Sequence, residues 1–170
     1  MEKMNIEIIP ATPGHRTLMR QLFELYCYDF SPMEGTDVND TGLYTGEDFL
    51  AEWPGPGRHL FLTKVDGHWA GFAWVAEHSF VNPGVPGHYW MAEFFVMQKY
   101  RRRGVGEYVA ARLFEMFPGV WEVGELASNV NAQAFWRKVV GRYTGGQFEE
   151  KVPGAEKWPG PIQIFSSARR

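Results

Sequence analysis

Cysteine is nearly absent from this chain. Cys27 is the single one among 170 residues, which excludes a disulfide framework and a cysteine-based zinc cluster and fits a reducing compartment. The five histidines, His15, His59, His68, His78 and His88, show no ligand spacing such as H-x-x-x-H, so no metal site is expected. No apolar run approaches the roughly 18 residues of a membrane span, and the N-terminal stretch lacks the basic and apolar regions of a signal peptide. A soluble, cytoplasmic protein with no membrane partner is therefore expected. Repeats, linkers and low-complexity tracts are missing too. With 45% hydrophobic and 16% aromatic residues, disorder is excluded, and residues 1–170 are expected to form a single domain with a real core. Finally, one segment lacks positive charge. Between Arg20 and Arg58 there is no lysine or arginine, but there are eight acids: Glu24, Asp29, Glu34, Asp37, Asp40, Glu47, Asp48 and Glu52. The chain's net charge is −3, so that −8 segment leaves +5 elsewhere. Such polarity suits an anionic ligand on one side and a cationic one on the other.

What is present centres on Tyr100-Arg101-Arg102-Arg103-Gly104-Val105-Gly106. This basic glycine turn follows an apolar run, Met91 to Val96, that reads as a buried strand, and precedes Glu107 to Phe117, which reads as a helix. Unpaired N–H groups in the first helical turn, together with the helix dipole, favour a polyphosphate there. Gly104 and Gly106 remove side chains where backbone must come close. Three arginines could instead form a nucleic-acid patch, but a pI near 6.0 without a wider basic surface argues against nucleic acid. A Rossmann fingerprint would place glycine or alanine where Val109 stands, and Glu122 and Glu125 lie too late in the chain to serve as its ribose-binding acid. A P-loop would require Gly-Lys-Ser/Thr, which is missing.

Arg101-x-x-Gly104-x-Gly106 resembles the pyrophosphate-binding motif of the GCN5-related N-acetyltransferases (GNAT), Arg/Gln-x-x-Gly-x-Gly/Ala. A second stretch matches in the same order: Asn129, Ala132, Phe135 and Gly141 fall in the family's register, with Trp136 where tyrosine is usual. The resemblance implies the GNAT fold in the α/β (α+β) class. Its core would be a mostly antiparallel mixed sheet of about seven strands flanked by about four helices, in the order βααβββαβαββ.

It also implies acetyl-CoA as cosubstrate. The amides from Arg101 through Gly106, including Arg102, Arg103, Gly104 and Val105, would hold the coenzyme's diphosphate. The main chain at Phe95 and Val96 would pair with its pantetheine arm as an added strand. Asn129, Phe135 and Trp136 would line the coenzyme channel; Asn129 could also cap the last helix, with Asn131 the alternative cap. Glu93 is an acid in an apolar strand, and burial should raise its pKa toward the range of a general base for an amine. The family's tyrosine protonates the departing thiolate, and the indole of Trp136 cannot; Tyr143 is the substitute acid. Tyr26, Asp29 and Glu34 would border the acceptor pocket. The implied activity is direct transfer of an acetyl group to a primary amine in a ternary complex. The alternative is a non-catalytic acyl-CoA sensor, which Trp136 favours. A homodimer would be an ordinary assembly for such a sheet.

Along the chain, strands are expected at 5–9, 58–65, 69–80, 88–97 and 120–126, with a closing hairpin from 143–152 and 161–167. Asp66-Gly67 is the turn between the second and third strands. Helices are expected from Thr12 to about Phe30, near Glu47 to Glu52, and over 107–117 and 131–140, with a loop from Ser31 to Thr45.

Overall fold

Seven strands form one twisted sheet in the order β1-β2-β3-β4-β5-β7-β6, in a computed structural model that describes residues 4–46, 49–51 and 53–167. They are β1 (Ile6–Pro10), β2 (Arg58–Val65), β3 (His68–Ala76), β4 (His88–Val96), β5 (Val120–Gly124), β6 (Glu149–Lys151) and β7 (Ile162–Ser166). All neighbours are antiparallel except β4 and β5. Helix α1 (Arg16–Glu34) covers one face, where Met19 and Leu22 pack on Leu60, Leu62, Phe72 and Phe95. Helices α2 (Val105–Met116) and α3 (Val130–Thr144) cover the other, where Val105, Val109, Leu113, Phe114 and Val139 pack on Ala73, Met91, Trp121 and Phe165. This is the expected mixed, mostly antiparallel architecture. Of the short helix expected near Glu47 to Glu52, residues 47, 48 and 52 lie outside the described residues, and 49–51 form a turn.

Three boundaries differ from expectation for identifiable reasons. Helix α1 continues through Ser31-Pro32-Met33-Glu34, where a loop was expected. Pro32 has no N–H for the carbonyl of Tyr28, and the Ser31 hydroxyl donates to that carbonyl instead (2.8 Å). The helix ends at Gly35, in the left-handed region at φ 67°, its N–H on Ser31 O. Helix α3 does not stop at Gly141 but runs to Thr144, and Gly145 terminates it at φ 65°. Tyr143, expected in a strand, is therefore helical. Strand β3 ends at Ala76 rather than Phe80, because the buried carboxylate of Glu122 on β5 draws the chain away. It accepts from the Ser79 hydroxyl and from the Phe80 (2.8 Å) and Val81 (3.4 Å) amides.

Two irregularities in β4 open the sheet. The register with β3 slips between Trp74 and Val75, pairing Glu93 with Trp74 and Met91 with Val75, so Ala92 is an extra residue. Met91 consequently faces the α2–α3 side while Glu93, two residues on, faces α1. The parallel β4–β5 ladder runs only from His88/Val120 to Trp90/Glu122. Beyond it the strands part, and a cleft lies between Met91–Phe94 and Val123–Leu126.

Candidate active site

Glu93 stands at the floor of that cleft. Half-buried, it accepts a hydrogen bond from the Tyr26 hydroxyl of α1. Burial pushes its carboxyl up to about 7; the Tyr26 hydrogen bond opposes this, and the Glu34 carboxylate adds to it. A carboxyl so poised is half ionised near neutrality, as a base for an ammonium ion must be. Tyr26 itself is held well above its usual range, by burial first and then by Glu93, so it stays a hydrogen-bond donor.

Phe94 and Trp136 meet edge to face across the other side of the cleft at 4.9 Å, and Phe135 stacks on Phe94 at 6.1 Å. Trp136 is buried and lines the cleft with Asn129 and Ala132. The Asn129 side chain accepts from the Ala132 N–H at 3.1 Å and caps α3, an interaction worth about 1 kcal/mol. Tyr143, the substitute acid, lies elsewhere. It packs edge-on against Phe114 (5.1 Å) and Phe165 (6.2 Å) in the core, outside the lining of the cleft.

The glycine turn adopts the shape of an anion nest. Arg102 and Gly104 are both left-handed, at φ 59° and 82°. The first α2 hydrogen bond runs from Tyr108 N–H to Gly104 O (3.0 Å), leaving the amides of Val105, Gly106 and Glu107 without an intrahelical partner. The Val105 side chain is fully buried, so only its backbone is presented. Arg102 and Arg103 are exposed. Gly106 has a packing reason for lacking a side chain, since a Cβ there would sit 3.0 Å from Phe135 Cζ. These free amides and this concave turn fit a diphosphate.

Two expectations change. The Arg101 side chain turns back from the nest, donating Nε–H to Val96 O (2.6 Å) and closing an ion pair with Asp29. Asp29, expected at the acceptor pocket, is thus committed to Arg101 and also accepts from Gln98 (3.2 Å). The second change concerns β4. The Met97 N–H bonds Ala70 O (2.8 Å), so by alternation Phe95, opposite Phe72, spends its main chain on β3, and the Val96 peptide groups face the open edge. Phe95 contributes its ring, buried against Tyr26 and Phe72.

The acidic segment also divides. Glu24 binds the Tyr44 and Thr45 amides (2.7 and 2.9 Å) as a loop anchor, while Glu34 lines the cleft. Phe30 is the expected pocket wall, whereas Trp158 and Glu125 line the cleft without having been anticipated. Glu125 could have been found. It stands two residues after Val123, in the core phase of a strand, the same signal that singled out Glu93.

The sequence model of the Acetyltransferase (GNAT) family matches residues 19–141. No curated protein matches the chain. Among solved structures, an acetyltransferase from Thermus thermophilus superposes with a TM-score of 0.67 at 16% identity, over 94% of this chain and 95% of that one. A GNAT-family protein from Desulfovibrio desulfuricans gives 0.64 at 16%, over 96% and 100%. PaiA N-acetyltransferase from Thermoplasma acidophilum, solved in complex with coenzyme A, gives 0.62 at 12%, over 95% and 99%. At these identities the likeness is one of fold.

Proposed function

Because the chain belongs to the acetyltransferase (GNAT) family, whose chemistry is acetyl transfer from acetyl-CoA, we propose that it acetylates a primary amine by direct attack in a ternary complex. The observation that carries this reading is Glu93, a half-buried carboxyl raised to about 7 at the floor of the cleft where β4 and β5 part. The amides of Val105, Gly106 and their neighbours would hold the diphosphate, and the pantetheine arm would run along the parted edge of β4, where Arg101 already holds the Val96 carbonyl and the Val96 N–H is left for the thioester. The thioester would then lie beside Glu93. Glu93 takes a proton from the ammonium, directly or through water, and the freed amine attacks the carbonyl carbon. The Val96 N–H polarises the carbonyl oxygen as charge gathers there. No acyl-enzyme is required, and Cys27, raised to about 11 mainly by burial, is a poor nucleophile.

The acceptor is a cationic small molecule on this reading. Glu34 and Glu93 supply negative charge, and Tyr26, Phe30 and Trp158 supply aromatic walls suited to an ammonium group. Trp136 favours a second reading, a sensor that binds acyl-CoA without turning it over. One experiment separates the two: thiol release from acetyl-CoA across a broad panel of amines. Release with at least one amine supports the enzyme, and tight coenzyme binding without release from any supports the sensor.

A further inference from the structure

Three carboxyl groups line the cleft, Glu34, Glu93 and Glu125, and the mechanism above leaves the last unused. Glu93 reaches it from the α1 face. Glu125 continues β5 in the phase of Trp121 and Val123, which face α2 and α3, and its carboxyl meets Gln163 of β7. Only 4% exposed, Glu125 nevertheless lines the cleft. Its Oε2 accepts from Gln163 Nε2 at 3.2 Å, while its Oε1 has no partner among the described residues. A buried oxygen left unpaired costs about 1–3 kcal/mol, and more if charged, so a neutral carboxyl is the form such a position tolerates. Meanwhile Trp136 occupies the position from which a hydroxyl would be expected to supply a proton, and its indole cannot give one up.

We propose that Glu125 is the general acid of this enzyme, carrying a proton on Oε1 and passing it to the sulfur of the departing coenzyme. The proposal rests on the acetyl-transfer reading. As the C–S bond breaks, its electron pair moves to sulfur and the Glu125 proton follows, leaving a thiol and a carboxylate. Of the two protons the ammonium must lose, one leaves through Glu93 to solvent, and the other restores Glu125. The amide keeps the nitrogen's remaining hydrogen.

The surroundings of Glu125 agree with this role. Burial is the largest influence and pushes it up to about 8, the Gln163 hydrogen bond opposes this, and the Glu150 carboxylate of β6 adds to it. Arg137 of α3 would favour ionisation, but it is engaged by Glu150 through two hydrogen bonds of 2.7 and 2.9 Å. Glu93 and Glu34 line the cleft from β4 and α1 and would also resist a further negative charge. The site therefore pairs an ionisable base with a neutral acid near pH 7–8, the arrangement that acid–base catalysis in one cleft requires.

The test measures thiol release from acetyl-CoA against pH, with an amine that turns over. The expected wild-type profile is a bell with an alkaline limb near pH 8. Glu125→Gln should lower kcat by about 10²-fold and remove that limb, with acetyl-CoA affinity unchanged. Wild-type kcat in Glu125→Gln, with the limb intact, overturns the proposal while leaving acetyl transfer standing. A wild-type protein that releases no thiol with any amine overturns both. If Glu125→Gln does not fold, Gln163→Met decides. Losing the N–H that favours the ionised carboxyl should move the limb to higher pH, and an unmoved limb rejects the assignment.

Discussion

Arg101 of the glycine turn is ion-paired with Asp29 of α1, 72 residues earlier in the chain. The pair joins the loop that would carry the coenzyme diphosphate to the helix that carries Tyr26 and Glu34. It also explains why the first arginine of the basic triplet does not point into the nest: its Nε–H holds the Val96 carbonyl and its guanidinium sits 5.6 Å from the Phe95 ring centre. Both side chains are partly exposed, so the pair is expected to contribute about 0.5–1 kcal/mol. A double-mutant cycle of Arg101→Met and Asp29→Asn, measured by urea unfolding, should return a coupling of that size. Strict additivity would show the two side chains to be independent in solution.

Glu93 makes a prediction about pH with two readouts. Its folded carboxyl is raised to about 7 from an ordinary 4.5. Between these values the unfolded chain ionises Glu93 while the folded chain resists, so stability falls as pH rises from about 4.5 to 7 and levels off above. Glu93→Gln should therefore stabilise the protein at pH 8 relative to wild type, by of order 1–3 kcal/mol, and not at pH 4. Its turnover should fall about 10²-fold or more with coenzyme affinity unchanged, and the acid limb of the wild-type profile, rising through about 7, should vanish. Equal stability differences at pH 4 and pH 8 would remove burial as the cause of the shift.

Gly104 and Gly106 should respond differently to the same substitution. At Gly104 the space beside the backbone is open but φ is 82°, so alanine costs about 1 kcal/mol of strain wherever its neighbours sit. At Gly106 the obstacle is Phe135, 3.0 Å from the new Cβ, with Phe94 behind it at 3.6 Å. Shortening Phe135 to leucine should then rescue acetyl-CoA affinity in Gly106→Ala and do nothing for Gly104→Ala. Calorimetric titration of the four variants distinguishes a steric cause from a conformational one.

The parts of the site that were legible in the sequence are those encoded within about a dozen residues, such as the strand–turn–helix around Gly104 and the Asn129 cap. Glu93 was legible because an acid in the apolar phase of a strand violates a local rule, and local violations gather at functional sites. Long-range partnerships were not legible. Nothing near Arg101 announces Asp29, nothing near Trp136 announces Glu125, and nothing in β4 alone announces that Ala92 bulges. That bulge is a property of the register with β3. Helix ends were missed where a side chain replaced a backbone partner, as Ser31 does beside Pro32. Tyr143 was misplaced because Gly141 reads as a helix stop, whereas the chain first reaches a left-handed glycine there at Gly145.

Glu122 supplies the contrast that keeps the cleft carboxyls distinct from structural ones. Its side chain is fully buried, but both oxygens are partnered, by the Ser79 hydroxyl and the Phe80 and Val81 amides, with His88 Nδ1 at 4.0 Å. Its work is to pin the 77–87 connection against β5. Glu122→Ala leaves those donors stranded and should cost about 3 kcal/mol, a fall in Tm of roughly 6–12 °C for a chain of this size. Ser79→Ala removes one donor and should cost about 1 kcal/mol. Neither should change acetyl-CoA affinity at a temperature where the variants are folded. Glu125→Gln should show the opposite pattern, with stability at neutral pH at or above wild type, since it relieves the same burial of charge as Glu93→Gln, and with turnover lost. A Glu122 variant that keeps its stability but loses turnover would place this carboxyl among the reacting groups and break the division between the two.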